Sequence, residues 1–227
     1  MISGETRLVG LLGDPVSQSL SPLMQNAAFA ARGLDWAYVP LPVTSEHLDD
    51  AVRGLVALSF AGANVTTPHK LTVAKLVETD EQSVNTLLVR DGRVMGYSTD
   101  AAILAELEFR RAAIVGDGGA ALAFRAALPD AAHFSRKGSW PPDAADADLV
   151  INATSERDEV LFELGPGQTL VDLPYPRTAT ARAADAAGAR VVDGLEVLVA
   201  QGAAAFELWT GIAAPVEVMR AAVRAAG

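Results

Sequence analysis

The chain has 227 residues, of which 50% are hydrophobic and 20% are charged, and its formal net charge is −10. This length suits one large domain or two small ones. The composition is that of an ordinary soluble globular protein. The negative charge disfavours nucleic acid and anionic membranes as partners. The absence of cysteine excludes disulfides, thiolate metal sites and cysteine nucleophiles. Because no membrane span or signal peptide is evident, we expect a cytoplasmic protein.

Short β-like runs alternate with alanine-rich helical segments in the first hundred residues, which predicts a mostly parallel sheet with helical crossovers. Ser21-Pro22 is predicted to begin a helix, with the serine as its N-cap. Asp91-Gly92 predicts a hairpin turn between two apolar runs. The predicted strands are 8–12, Trp36–Pro42, Gly62–Val65, 83–89 and 94–97, and the predicted helices are 21–32 and 45–58.

The second half continues the alternation of strands and helices. Asp100 is predicted to open a helix that ends near residue 108. A short buried strand, Ala112–Val115, then runs directly into a group of glycines. Further strands are predicted at 148–151, Thr169–Asp172 and Arg190–Val192, and helices at 195–209 and 214–225.

Those glycines predict a nucleotide-binding turn. The segment Gly116-Asp117-Gly118-Gly119-Ala120-Ala121 matches G-x-G-x-x-A between a strand and a helix. Small residues there permit a tight turn and a close approach to a pyrophosphate, and the helix N-terminus supplies donors. Gly116, Gly118, Gly119 and Ala120 are therefore predicted to bind a cofactor; the alternative is a plain glycine turn.

A basic cluster stands where the second strand of such a fold ends. NAD-binding folds usually carry Asp or Glu at this point, whereas this chain has Ser135-Arg136-Lys137. A guanidinium can bind a ribose 2′-phosphate through two hydrogen bonds. The three residues therefore predict NADP rather than NAD; the alternative is a solvated basic turn.

The nucleotide-binding half is predicted to be shortened. Only residues 138–147 separate the basic cluster from the next strand, and they include Pro141-Pro142. A parallel crossover usually needs a dozen or more residues and a helix. We therefore expect a helix, and a strand with it, to be missing. Asp117 is a second departure, because its carboxylate could face the pyrophosphate.

Five further motifs occur in one order along the chain, and together they resemble the shikimate dehydrogenase family. They are Gly13-Asp14-Pro15-Val16-Ser17-Gln18-Ser19-Leu20-Ser21-Pro22, Asn64-Val65-Thr66-Thr67-Pro68-His69-Lys70, Ser83-Val84-Asn85-Thr86-Leu87, Gly96-Tyr97-Ser98-Thr99-Asp100, and the helix sequence from Gly194 to Phe206 that contains Gln201.

The resemblance implies a two-domain α/β fold. Residues 1–100 and 195–227 would form a substrate-binding domain, and residues 101–194 a reduced Rossmann domain that binds NADP. The C-terminal helices would pack back on the first domain. The implied reaction is the reversible reduction of 3-dehydroshikimate to shikimate, in aromatic amino-acid biosynthesis.

The same resemblance implies roles for particular residues. Lys70 and Asp100 would be catalytic, and Ser19 and Ser21 would bind the substrate carboxylate. Thr66, Asn85 and Gln201 would hold ring hydroxyls. The cofactor side would add Thr154, Tyr175 and Gly194.

Residue chemistry agrees with these roles. Oxidation of an alcohol requires an acid–base group at its oxygen, and a lysine with a carboxylate partner is suited to this. The sequence leaves the proton relay open between Lys70 and Asp100. Structural alternatives are helix capping for Ser21 and Asp100, and packing or surface exposure for His69. No metal constellation is evident.

Other functions stay open at this stage. The substrate is expected to be a small anionic polyhydroxylated carboxylate, and quinate or aminoshikimate would fit the same residues. A non-catalytic ligand-binding relative with an impaired cofactor site is the third alternative. The oligomeric state, monomer or homodimer, is also open.

Overall fold

The computed structural model describes residues 2–226, which form two compact units. The first contains residues 2–99 and 199–226, and the second contains residues 100–198. These boundaries differ from the predicted ones by one residue at the first junction and by four at the second.

Both units are α/β structures, as predicted. The strands in residues 2–226 are β1 Arg7–Gly13, β2 Trp36–Pro42, β3 Gly62–Val65, β4 Thr86–Arg90, β5 Arg93–Tyr97, β6 Ala112–Val115, β7 Ala132–Phe134, β8 Leu149–Asn152, β9 Thr169–Asp172 and β10 Arg190–Val192. The α-helices are α1 Ser21–Ala31, α2 Leu48–Ala57, α3 Lys70–Val73, α4 Gly119–Ala127, α5 Ala179–Ala186, α6 Gly194–Thr210 and α7 Val216–Arg224.

The sheet of the first unit has the strand order β2-β1-β3-β4-β5. Strand β1 pairs in parallel with β2 and β3, whereas β4 is antiparallel to both β3 and β5. The hairpin between β4 and β5 turns at Asp91 and Gly92, whose φ angles are 53° and 74°. Two positive φ angles are those of a type I′ turn, so the predicted hairpin is confirmed.

The C-terminal helices pack on the first unit, which was predicted. Helix α7 packs against α1. On α6, the ring of Phe206 stacks on Phe29 with centroids 5.4 Å apart, and Trp209 Nε1 donates to the carbonyl of Leu87 at 2.9 Å. These buried aromatic contacts fix α6, the helix that carries Gln201, against α1 and the sheet.

The second unit contains a fully parallel sheet with the order β10-β9-β8-β6-β7. The chain moves outward from β6 to β7, returns to β8 on the other side of β6, and continues to β9 and β10. The direction therefore reverses between β6 and β8. In open parallel sheets this switch point is where ligands bind, beyond the carboxyl ends of the strands.

The predicted shortening of this unit is confirmed. The described residues 135–148, between β7 and β8, contain no helix or strand, and neither do residues 153–168, between β8 and β9. Apolar side chains of these two loops cover the sheet instead. Phe162 and Leu164 from the longer loop, and Ala144 and Ala147 from the shorter, share one core with β8 and β9.

Two local predictions are wrong. Residues 100–108 do not form an α-helix: a 3₁₀ helix covers Ala102–Glu106, and Ala101 rather than Asp100 precedes it. Only Ile103 of this helix is buried, so a longer helix would gain too little packing to offset its ordering cost. Ser21 is the first residue of α1 rather than its N-cap, which is Leu20, and no side chain caps the helix.

Among residues 2–226, no helix combines the length and the apolar character needed to cross a bilayer.

Candidate active site

Two loops of the first unit, together with the first residues of the helices that follow them, contain four of the predicted substrate and catalytic residues. Ser19 and Ser21 follow β1, and Thr66 and Lys70 follow β3. Because β1 and β3 are parallel neighbours, both loops leave the same edge of the sheet. The backbone N–H of Asp14 donates to the carbonyl of Thr67 at 3.2 Å, which joins the two loops.

The two serines lie at the entry to α1. The hydroxyl of Ser19 accepts a hydrogen bond from the backbone N–H of Ser21 at 3.2 Å. Ser21 is 5% exposed and, as the first helical residue, does not cap the helix. The capping alternative for Ser21 is therefore wrong, although the roles of the two hydroxyls toward a ligand stay predictions.

Lys70 begins α3 and is half-buried. Its carbonyl accepts from the backbone N–H of Val84 at 3.0 Å, which ties α3 to the segment leading to Asn85. The preceding His69 is 1% exposed, and its Nε2 lies 2.7 Å from the carbonyl of Val43. This burial makes His69 a packing residue, one of the two alternatives predicted for it.

Asn85 and Gln201 come together in the first unit. Asn85 Nδ2 lies 3.4 Å from Gln201 Oε1 and donates to the hydroxyl of Thr99 at 3.0 Å. Asn85 Oδ1 accepts from the backbone N–H of Thr99 at 2.7 Å. The same amide therefore contacts a predicted substrate-binding residue and fixes the backbone that leads into Asp100.

Buried polar residues that sequence reasoning missed complete this network. Asn64 Nδ2 donates to the carbonyl of Asn85 at 3.1 Å and to the hydroxyl of Thr86 at 3.0 Å, and Asn64 Oδ1 accepts from the hydroxyl of Tyr38 at 2.9 Å. A buried polar group must be hydrogen-bonded to be tolerated. The asparagine within the apolar strand β3 was the available sequence signal.

Asp100 is 8% exposed and directly follows Thr99. Thr99 ends the first stretch of the first unit, and Asp100 begins the second unit. The role of Asp100 as a catalytic partner of Lys70 stays a prediction.

In the second unit, the predicted cofactor residues line one edge of the parallel sheet. Gly116 follows β6, Ser135 follows β7, Thr154 follows β8, Tyr175 follows β9 and Gly194 follows β10. Each residue stands within three positions of the carboxyl end of its strand. Five positions chosen from sequence motifs therefore share the edge at which parallel sheets bind ligands.

Two glycines of the glycine-rich turn differ in conformation and surroundings. Gly116 has a φ of 133°, and a Cβ added to it would lie 2.7 Å from the carbonyl oxygen of Ala153. Gly118 has a φ of −87°, and an added Cβ would meet no protein atom within 4 Å. The fold thus explains Gly116, whereas open space beside Gly118 fits a close approach by a pyrophosphate.

Helix α4 begins at Gly119 and is followed by Ala120, and no side chain caps it. Its first N–H groups therefore suit an anionic group. His133, which is not among the predicted site residues, contacts this turn. Its Nε2 is 2.7 Å from the carbonyl of Gly116, so a side chain on β7 steadies the turn after β6.

Two further groups shape the same edge. The hydroxyl of Thr154 donates to Asn152 Oδ1 at 2.8 Å, and Asn152 Nδ2 donates to the buried Asp172 at 2.7 Å. At Gly194, an added Cβ would lie 2.4 Å from the carbonyl oxygen of Leu173. Only glycine allows α6 to begin this close to the end of β9.

Acidic partners surround the basic cluster. Arg136 lies 3.7 Å from Glu156 and 3.8 Å from Glu159, and Lys137 lies 3.5 Å from Asp117. Backbone N–H groups of Asp158, Glu159 and Arg157, together with the charge of Arg136, hold the pKa of Glu156 below its usual value. Ser135, by contrast, is buried and its backbone closes the turn with Gly138 and Ser139.

The sheet edge and the glycine turn together fit a dinucleotide, and the basic cluster offers two cations to a phosphate on its ribose. No cluster of His, Cys, Asp or Glu in residues 2–226 is suited to hold a metal ion. The site therefore has the features of a nicotinamide-dependent oxidoreductase with a Rossmann-type unit.

Comparison with known proteins agrees with this class. The family model for the shikimate dehydrogenase substrate binding domain matches residues 11–87, and that for the shikimate 5′-dehydrogenase C-terminal domain matches residues 194–224. Shikimate dehydrogenase (NADP(+)) from Anaeromyxobacter sp. strain Fw109-5 is 39% identical, with 100% of this chain and 99% of that protein covered. The chain belongs to the shikimate dehydrogenase family.

Solved structures show the same likeness. A shikimate dehydrogenase in complex with NADP⁺ superposes with a TM-score of 0.88 at 30% identity, covering 100% of this chain and 97% of that one. The Thermus thermophilus enzyme, in complex with NADP(H) and shikimate, gives 0.85 at 30% identity, covering 98% and 100%.

The alignment also measures the shortening. It extends over 276 positions with the Anaeromyxobacter relative, whereas this chain has 227 residues, so at least 49 positions are gaps in this chain. The loops between β7 and β8 and between β8 and β9 lack helices, and they are places where such gaps are expected.

Proposed function

We propose that the protein catalyses the NADP-dependent, reversible reduction of 3-dehydroshikimate to shikimate. The observation that carries this proposal is the edge of the parallel sheet, where five predicted cofactor residues follow five successive strands beside an uncapped helix. Family membership and the presence of both Lys70 and Asp100 support it.

On the cofactor side, the turn at Gly116 and Gly118 and the start of α4 would hold the pyrophosphate. Arg136 and Lys137 would hold the 2′-phosphate, and Thr154, Tyr175 and Gly194 lie on the same edge. The nicotinamide, when bound, accepts or returns the hydride of the alcohol carbon.

On the substrate side, the net negative charge of the protein repels a carboxylate, so a carboxylate substrate would need local hydrogen-bond donors. Serine hydroxyls are such donors. Ser19 and Ser21 would donate to the carboxylate. Thr66 would bind a ring hydroxyl, and so would Asn85 and Gln201. The 3.4 Å contact between these two amides is long enough to be exchanged for bonds to a ligand.

The oxidation of shikimate also requires loss of the hydroxyl proton. Lys70 and Asp100 would transfer that proton. One of them would contact the substrate oxygen, and the other would act as its acid–base partner. Such acid–base groups typically contribute about 10²–10⁴-fold to the rate.

The test is nicotinamide absorbance on mixing the protein with shikimate and NADP⁺, with NAD⁺ and quinate in parallel. We expect reduction of NADP⁺ with shikimate. The rate should be about 10²–10⁴-fold lower in Lys70→Ala. It should be unchanged in the control variant Lys75→Ala, because Lys75 is an exposed residue just after the same short helix. Turnover of quinate but not of shikimate would mean that quinate, rather than shikimate, is the substrate. No turnover, despite separate binding of shikimate and NADP⁺, would make the protein a binding relative.

A further inference from the structure

The predicted 2′-phosphate ligand Arg136 is surrounded by other groups. Its guanidinium lies 3.7 Å from Glu156, 3.8 Å from Glu159 and 5.5 Å from the centre of the Trp140 ring. Its side chain is 64% exposed, and that of Glu159 is 72% exposed. These distances exceed hydrogen-bond length, so the carboxylates attract the guanidinium without fixing its orientation.

The two glutamates reach Arg136 across the nucleotide-binding turn. Arg136 follows β7 and both glutamates follow β8, while β6 lies between these strands in the sheet. The ion pairs therefore join two loops on either side of the carboxyl end of β6, where Gly116 and Gly118 stand. A phosphate bound to Arg136 would lie beside both carboxylates.

The side-chain charges around Arg136 and Lys137 do not favour an added anion. Two cations, Arg136 and Lys137, stand with three carboxylates, those of Asp117, Glu156 and Glu159, which leaves one excess negative charge. The lowered pKa of Glu156 keeps that carboxylate ionised across the neutral range.

We propose that Glu156 and Glu159 are specificity-determining residues that weaken the preference for NADP over NAD by opposing the 2′-phosphate at Arg136. The inference rests on the proposed function, because it concerns the cofactor of that same reaction. Both glutamates stand in the helix-free loop between β8 and β9, so the opposition belongs to the shortened part of this chain.

The opposite role would be orientation, in which the glutamates hold Arg136 ready for the phosphate. The two roles differ in the sign of the effect. Removal of the carboxylate charges strengthens 2′-phosphate binding if they oppose it, and weakens it if they orient Arg136. Arg136 also has a cation–π contact with Trp140, whose ring centre lies 5.5 Å away, and this contact does not depend on the glutamates.

The test is equilibrium binding of adenosine 2′,5′-bisphosphate and of 5′-AMP, and then of NADP⁺ and NAD⁺, by titration calorimetry. The variants are Glu156→Gln, Glu159→Gln and the double variant. Glutamine at 156 retains the side-chain oxygen that accepts from the backbone N–H groups of residues 157–159. Glu163→Gln removes the same charge from an exposed position of the same loop and is the matched control.

We expect each glutamine to raise the affinity for the bisphosphate about 2- to 5-fold relative to AMP, the range of an exposed ion pair. The affinity for NADP⁺ should rise by a similar factor relative to that for NAD⁺, and this increase should be smaller in high salt. In an Arg136→Gln background the gain should be largely lost. Glu163→Gln should leave the ratio unchanged.

An unchanged or lowered ratio of bisphosphate to AMP affinity in the double variant overturns the inference, and so does an equal gain in Glu163→Gln. Shikimate turnover by the unmodified protein is measured separately. Turnover with an unchanged ratio would leave the proposed function standing, whereas a raised ratio without turnover would support the inference and reject the function.

Discussion

Oδ1 of Asn85 accepts a hydrogen bond of 2.7 Å from the backbone N–H of Thr99, the residue directly before Asp100. A residue predicted to bind substrate thus also fixes the backbone that precedes a predicted catalytic residue. Since both Asn85 and Thr99 are buried, loss of this acceptor would leave a buried donor unpaired.

Asn85→Ala should lower the free energy of unfolding by about 1–3 kcal/mol, the cost of an unsatisfied buried group. It should also raise the KM for shikimate. Gln201→Ala, which loses the longer 3.4 Å contact, should raise KM with a smaller loss of stability. Urea unfolding and steady-state kinetics on both variants check this, and an equal loss of stability in the two would contradict the role given to Asn85.

The two glycines of the nucleotide-binding turn should respond differently to the same substitution. Gly116→Ala should destabilise the folded protein by about 1–3 kcal/mol, because alanine disfavours a φ of 133° and its Cβ would press on Ala153. Gly118→Ala should leave stability nearly unchanged, since no protein atom is near. It should instead lower NADP⁺ affinity, by about tenfold or about 1.4 kcal/mol.

Thermal unfolding and NADP⁺ titration of both variants separate these effects. A Gly118→Ala protein that binds NADP⁺ normally would contradict the close approach of a pyrophosphate to Gly118, whatever the stability of the variant.

Much of the fold was predictable because the signals were local. The glycine turn after β6 and the Asp91-Gly92 hairpin depend on residues adjacent in sequence. The shortening of the second unit was also evident, from the few residues between β7 and β8. The acidic surroundings of Arg136 were not, because Glu156 and Glu159 come from a loop twenty or more positions away and meet it only in the fold. Likewise, the network of Asn64 and Thr86 depends on strand pairing.

Asp148 should stabilise the second unit at neutral pH. Its carboxylate accepts from the backbone N–H groups of Arg111, at 2.9 Å, and of Arg110, at 2.9 and 3.0 Å. The bond from Arg111 is the largest cause that lowers the pKa of Asp148 from 3.8. A lowered folded-state pKa means that the contribution is present above 3.8 and is lost as the pH falls through the folded-state value.

Asp148→Asn should therefore be less stable than the unmodified protein at neutral pH, and the difference should narrow below pH 3.8. Urea unfolding at a series of pH values measures it. Asp146→Asn, at an exposed position nearby, is the control. A difference that stays constant with pH would mean that the carboxylate charge of Asp148 is not its cause.

The loops that stand where crossover helices are missing should be essential to the second unit. Phe162 is 7% exposed and packs in the core formed with β8 and β9, whereas Val160, two residues earlier, is 51% exposed. Phe162→Ala should lower the free energy of unfolding by about 3–5 kcal/mol, the usual cost of deleting a buried aromatic side chain. Val160→Ala should change it by no more than about 0.5 kcal/mol. Urea unfolding gives the totals, and hydrogen exchange of the amides in β8 and β9 shows whether protection is lost there first. If Phe162→Ala left those amides protected, the sheet would be stable without this side chain. The loop would then not be essential to the second unit.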